Sequence, residues 1–219
     1  MPLTPWSLIA LFLVVVFVVT LIQVGVITIA FEKLGLSPQA ALTLVLGSLF
    51  GSTINVPVYR RRHAPRGFEL TELLDPRLWN LPPAPAGSTL IAVNVGGCLM
   101  PLAVSLYLLS QHALSATTTL LAVAIVAAVS YRFSWIIPGV GIGMPLFLAP
   151  LVSALTALLL DPEHSAPLAY ISGTLGVLIG ADLLHLRDIG ASRVRIASVG
   201  GAGTFDGIFI TGIVAALLA

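Results

Sequence analysis

Seven apolar stretches of about membrane-crossing length divide this sequence, at about residues 6–31, 38–57, 88–109, 115–131, 143–160, 168–186 and 198–219. A helix crosses the hydrocarbon core of a bilayer with roughly 20 apolar residues. Inside that core a backbone survives only where all its polar groups are satisfied. The spacing therefore predicts an all-α fold, a polytopic transmembrane helix bundle of about seven spans forming a single domain over 1–219. Composition agrees. Hydrophobic residues make up 58% of the chain and charged residues 9%, with a mean hydropathy of +1.06, where a soluble domain carries about 25% charged residues. A net charge of +1 gives no basis for a nucleic-acid partner; membrane lipids are the expected surroundings.

The polar breaks set the orientation. Alternating the connections places Arg60, Arg61, Arg62, Arg66, Arg77, Arg132, Arg187, Arg193 and Arg195 on one side, nine of the ten basic residues, with only Lys33 opposite. Basic residues mark cytoplasmic connections, so the N-terminus is expected inside and the C-terminus outside. The stretch 58–87 becomes a cytoplasmic loop, with Phe68, Leu70, Leu73 and Leu74 on one face of a short interfacial helix. Trp6, Trp79 and Trp135 fall near the expected interfaces. The first stretch is too long for a signal peptide and lacks a basic leader, so it reads as a mature helix. Pro138-Gly139-Val140-Gly141-Ile142-Gly143-Met144-Pro145 cannot form a regular helix. It predicts a broken or re-entrant segment near 138–145 that packs against the last two helices.

Two carboxylates sit within the last two apolar stretches, Asp182 after Gly180-Ala181 and Asp206 in Gly203-Thr204-Phe205-Asp206-Gly207. A charge at membrane depth costs roughly 2.5–3.5 kcal/mol on the mild insertion scale and by default marks a function. Asp182 precedes Arg187 by five residues, about 7 Å of helix at roughly 1.5 Å per residue. A short turn between antiparallel neighbours can bring Asp206 to a similar depth. Gly200, Gly201, Ala202, Gly203 and Gly207 permit close backbone approach. Two carboxyls that meet cannot both ionise freely, so one holds a proton while the other stays charged. That is the acid–base pair that hydrolyses a peptide bond.

Other polar residues are weaker candidates. Ser52, Thr53 and Asn55 read as a helix cap, with binding as the alternative, and Asn94 before Gly96-Gly97 is a candidate partner for Asn55. His185, one turn beyond Asp182, reads as an interfacial ring, with tuning of Asp182 as the alternative. Cys98, the single cysteine, reads as a small packing residue. His63, His112 and His164 fall in separate loops on different sides, so neither a metal site nor a cofactor is expected.

The block 201–218, Gly-Ala-Gly-Thr-Phe-Asp-Gly-Ile-Phe-Ile-Thr-Gly-Ile-Val-Ala-Ala-Leu-Leu, resembles the Gly-x-Gly-Asp helix of presenilin and signal-peptide-peptidase-type intramembrane aspartyl proteases. In that class the two catalytic aspartates lie on the sixth and seventh spans from a cytoplasmic N-terminus. The resemblance implies Asp182 and Asp206 as catalytic residues and a transmembrane peptide as substrate. Gly201, Gly203, Gly207, Pro138, Gly139 and Pro145 are candidates for positioning it. The chain differs from the class in having Thr204 and Phe205 between Gly203 and Asp206, and Ala181 where a tyrosine precedes the first aspartate. Its seven stretches also leave no eighth or ninth span bearing a Pro-Ala-Leu element.

As a whole the chain resembles an uncharacterised family of prokaryotic multi-pass membrane proteins, through 51–57, 94–97, 138–142 and the glycine-rich C-terminal block, which implies the cytoplasmic (inner) membrane. Two other readings stay open. Broken helices near Asn55-Pro57 and Pro138–Pro145 with two intramembrane carboxylates suit a proton- or cation-coupled carrier. Alternatively the aspartates bond to Thr211, Thr174 or backbone and lock a non-catalytic bundle. Homo-oligomerisation is left open.

Overall fold

A computed structural model describes residues 24–62, 88–137, 141–186, 196–201 and 207–219. Seven helices carry 70% of these residues: α1 (Val24–Lys33), α2 (Pro38–Gly51), α3 (Val95–Gln111), α4 (Ala116–Phe133), α5 (Leu148–Leu160), α6 (Ser165–Leu183) and α7 (Gly207–Leu218). Among the described residues α4 and α6 are each long and apolar enough to cross a membrane, and α1 with α2, bent by 118°, makes a third if taken as one span. The protein is an integral membrane protein. Exposed leucines such as Leu151, Leu155 and Leu159 on α5 suit lipid contact, since acyl chains are as apolar as leucine itself.

The expectation of an all-α fold needs correction where the second and third spans were placed. Each is half helix and half strand. After α2 the chain extends as β1 (Asn55–Arg62), and β2 (Ser88–Asn94) leads into α3. The two pair antiparallel with Asn55 opposite Asn94, and β5 (Ile196–Val199) adds in parallel beside β2. The reason lies in residue type. Val56-Pro57-Val58-Tyr59 and Thr89-Leu90-Ile91-Ala92-Val93 are rich in β-branched residues, and Pro57 cannot donate a hydrogen bond. Proline is tolerated at an edge or a bulge, and β1 is an edge strand whose register shifts between Pro57 and Tyr59.

The expected break ahead of the fifth span is present in the described residues. Trp135–Ile137 (β3) and Gly141–Gly143 (β4) pair antiparallel, and α5 begins only at Leu148. Ile142 and Met144 pack against Val177, Ala181 and Ile208 of α6 and α7, as the sequence predicts. Pro138 and Gly139 lie outside the described residues. The seventh stretch is likewise divided, into β5 and α7.

α6 is the central helix, 78% of it buried against 33% for α4. Its glycines make this closeness affordable in steric terms. A Cβ on Gly176 would meet Val126 at 2.6 Å, and one on Gly180 would run into the Ala127 carbonyl of α4. Where α2 crosses the start of α3, a Cβ on Gly96 would likewise strike the Ser48 carbonyl, and one on Gly51 would lie 3.0 Å from Gly96 N; Ser48 Oγ donates to the Gly96 carbonyl at 2.7 Å.

The turns α1–α2, α3–α4 and α5–α6 gather at one end with the last residues of α7. Gly35 (φ +69°) closes α1, with Leu36 N–H donating to Phe31 O at 3.0 Å, and Ser37 Oγ caps α2 by accepting from Ala40 N–H, as a left-handed glycine cap followed by a serine N-cap should. Lys33 Nζ donates to Leu217 O at 3.0 Å and Ser165 Oγ to Ala219 O at 3.1 Å. His112 Nε2 donates to Leu34 O at 3.4 Å, and its ring lies 6.3 Å from that of His164. The alternation of connections already puts these two histidines on one side, and their turns meet at one end of the bundle. His164 also contacts Asp161 at 3.2 Å, yet no cluster of three metal-binding side chains occurs among the described residues. His63 lies outside them.

Inserting a side chain into a filled core costs about 1–3 kcal/mol. Gly180→Val should therefore lower the melting temperature in detergent by several degrees. Gly25→Ala should leave it unchanged, because nothing lies within 4 Å of that Cβ position. Equal melting of the two variants would rule out the α4–α6 contact.

Candidate functional site

Asp182 sits in the last turn of α6, where Leu178–Leu183 winds wide in a π-helical turn. Such bulges cost regularity and recur at functional sites. One oxygen of its carboxylate, Oδ2, accepts from Gly200 N–H at 2.7 Å. The donor is positioned by a turn only glycine can make. Gly200 and Gly201 both hold φ near +80° (83° and 84°), a region that side chains other than glycine's rarely enter. A Cβ at Gly200 would also lie 2.6 Å from both the nitrogen and the Cβ of Cys98. The turn is thus pressed onto the first turn of α3, and buried Cys98 takes the packing role expected of it.

Asp182 and Thr211 are the polar walls of a cavity of about 290 Å³ between α6, α7 and the segment after β4. Ile142, Met144, Val177 and Ile208 supply much of its apolar lining. Of the residues expected at the site, Gly201 is in the glycine turn and Gly207 opens α7. Pro145 is exposed between two lining residues, Met144 and Leu146. Asp206, Gly203, Pro138 and Gly139 lie outside the described residues. Ile208 and Thr211, which follow Asp206 by two and five positions, line the cavity with Asp182.

A second polar group stands beside this turn. Asn94, 1% exposed, caps α3 by accepting from Gly97 N–H at 2.8 Å, and its Nδ2 donates to Ser52 O at 2.7 Å and to Asn55 Oδ1 at 3.1 Å. Its amide orientation is fixed, because the two carbonyl oxygens accept only and the Gly97 amide donates only. Asn55 Oδ1 also accepts from Ser198 Oγ at 2.6 Å, and the Asn94 Nδ2 donor fixes the second amide in turn. Asn55 Nδ2 then has no hydrogen-bond partner although it is buried. Ser198 lies two residues before Gly200, so both asparagines and Asp182 are tied to one short segment. Asn94 was the weak candidate partner for Asn55, and it is the partner. Ser52 and Thr53 do cap, donating to Leu49 O and Phe50 O at 2.7 Å each, whereas Asn55 serves the cross-strand network.

His185 is buried rather than interfacial. Its Nδ1 donates to Ala181 O at 3.0 Å and Gly180 O at 3.2 Å, and its ring lies 4.7 Å from that of Tyr131. That nitrogen serves the widened end of α6. Sequence reasoning missed Ser198, whose only signal is a lone hydroxyl in the apolar run Ile196–Val199.

An unsatisfied buried partner costs about 1–3 kcal/mol, and Asn94→Ala strands two, the Gly97 N–H and the Ser52 carbonyl, while Asn55 Oδ1 keeps Ser198. The substitution should lower stability by more than ~2 kcal/mol in detergent unfolding, while Thr53→Ala at an exposed position stays near wild type. A mild Asn94→Ala phenotype would remove the network from the account of how the site is held.

The family described as "Protein of unknown function (DUF1614)" matches residues 49–218, which include both asparagines, Asp182 and Asp206. No curated protein and no solved structure matches the chain.

Proposed function

The chain belongs to the DUF1614 family of unknown function, and we propose that it is an intramembrane aspartyl protease of the presenilin and signal-peptide-peptidase type with Asp182 and Asp206 as its catalytic pair. The observation that carries this reading is the cavity. It joins an acidic side chain on α6 to the first turns of α7, whose opening residue Gly207 directly follows Asp206. Beside it runs β4, an extended strand paired on one edge only among the described residues. A peptide to be hydrolysed must first be extended, and a strand edge recognises extended chain through its backbone. In this reading Gly201, Gly203, Gly207, Pro138, Gly139 and Pro145 position the substrate.

The chemistry follows from the pair. The ionised carboxyl takes a proton from water as its oxygen attacks the substrate carbonyl, and the protonated carboxyl gives its proton to that carbonyl oxygen. Collapse breaks the C–N bond, and the proton first taken from water passes to the leaving amine. The Gly200 N–H orients Asp182 by donating to its Oδ2. In the same reading the chain makes seven crossings of a prokaryotic inner membrane with the N-terminus inside, and its partners are lipids and a transmembrane peptide.

One observation favours a second reading. Two of the expected crossings change between helix and strand near Asn55 and Asn94, where one buried amide nitrogen has no partner among the described residues, and interrupted spans with intramembrane polar groups serve ion-coupled carriers. Cleavage of transmembrane peptides by the purified protein in liposomes decides between them. Asp182→Asn and Asp206→Asn should each reduce cleavage by at least ~100-fold, the lower bound for general acid–base catalysis, with unchanged melting. The pH–rate profile should be bell-shaped and belong to the pair. Undiminished cleavage in either variant sinks the catalytic pair, and proton-coupled flux without cleavage makes the protein a carrier.

A further inference from the structure

We propose that the crossing of α5, α6 and α7 holds internal water bound by the hydroxyls of Ser153, Tyr170 and Thr174, and that this site extends the Asp182 cavity into the bundle core. Each of the three residues is 0% exposed; among the described residues Ser153 Oγ has no hydrogen-bond partner, and Tyr170 OH and Thr174 Oγ1 have only each other, short of good hydrogen-bond geometry. Tyr170 OH lies beside the Thr174 hydroxyl one turn away. In an apolar bundle an unpaired hydroxyl is disfavoured, and three together supply the two to four polar partners that a buried water takes.

Two glycines bring the oxygens to one crossing. Ser153 Oγ of α5 approaches to 2.8 Å of the position a Cβ would take on Gly173, and Thr211 of α7 lies 3.4 Å from the same point. One residue further along each helix, Thr174 Oγ1 lies 2.7 Å from the corresponding position on Gly212, with the Tyr170 ring at 2.9 Å. The hydroxyls thus border the contact of Gly173–Thr174 with Thr211–Gly212. Thr211 also forms a wall of the Asp182 cavity, as does Val177, three residues beyond Thr174. The cluster therefore stands one residue layer behind the cavity. If the protease reading holds, the site keeps the second reactant, water, resident at bilayer depth; its existence does not require that reading.

X-ray radiolysis of the full-length protein in detergent, with oxidation mapped by mass spectrometry, tests the site, because radicals formed from bound water label side chains that bulk solvent does not reach. Tyr170 should be oxidised within about tenfold of the rate of exposed Tyr107 despite its burial. Thr174→Val and Ser153→Ala, both conservative in volume, should each cut Tyr170 oxidation several-fold and leave Tyr107 unchanged. Thr174→Val should also melt below wild type, since it removes a water ligand rather than an idle hydroxyl. Wild-type Tyr170 left unoxidised overturns the proposal by itself. So does oxidation unaffected by both variants, or a Thr174→Val protein that melts higher than wild type. None of these measurements reads cleavage, so their failure is distinct from failure of the catalytic pair.

Discussion

Backbone hydrogen bonding is what the rest of this structure depends on. In hydrocarbon every peptide N–H and C=O must find a partner within the protein, and the chain is extended at Asn55–Arg62, Ser88–Asn94 and Ile196–Val199. The three segments satisfy one another. β1 and β2 exchange bonds as an antiparallel pair and β5 completes the second edge of β2. Asn94 then closes the junctions that strand pairing cannot reach, since its one amide serves the end of α2, the start of α3 and the amide of Asn55. Non-helical backbone becomes affordable near Asp182 because it is collected into one patch.

Glycine makes the second half of the arrangement. α6 touches α4 through Gly176 and Gly180, and α5 and α7 through Gly173. The helices approach so closely that serine and threonine hydroxyls, rather than leucine side chains, occupy several contacts. Polar atoms are thereby placed in the core without polar sequence around them. The left-handed pair Gly200 and Gly201 carries the same economy into a loop, directing a backbone N–H onto a carboxylate.

Much of this was legible before any coordinates. The lengths of α4 and α6 follow from apolar runs, and the failure of 138–145 to form helix follows from its prolines and alternating glycines. The sheet was not legible. An apolar run rich in valine, isoleucine and threonine suits a strand as well as a buried helix, and hydropathy alone does not separate the two. The partners that decide the matter for Asn55 stand at Asn94 and Ser198, far along the chain. His112 and His164 share a side in the alternation of connections, yet their ring contact was not legible, because it joins two hairpins far apart in the chain. Asp182 was found because a carboxylate in an apolar run is conspicuous. Its Gly200 contact was not, since a backbone N–H leaves no mark in a sequence.

The contact between Gly200 and Cys98 has a practical consequence. Cys98 is the chain's single cysteine and is 6% exposed, with the glycine turn lying directly against it. A thiol reagent can reach that sulfur through this face only when the turn lifts from α3, and the same movement withdraws the Gly200 N–H from Asp182. The protein therefore carries a built-in reporter. Alkylation of its one thiol through this face reports the turn's departure from Asp182, with no label to introduce.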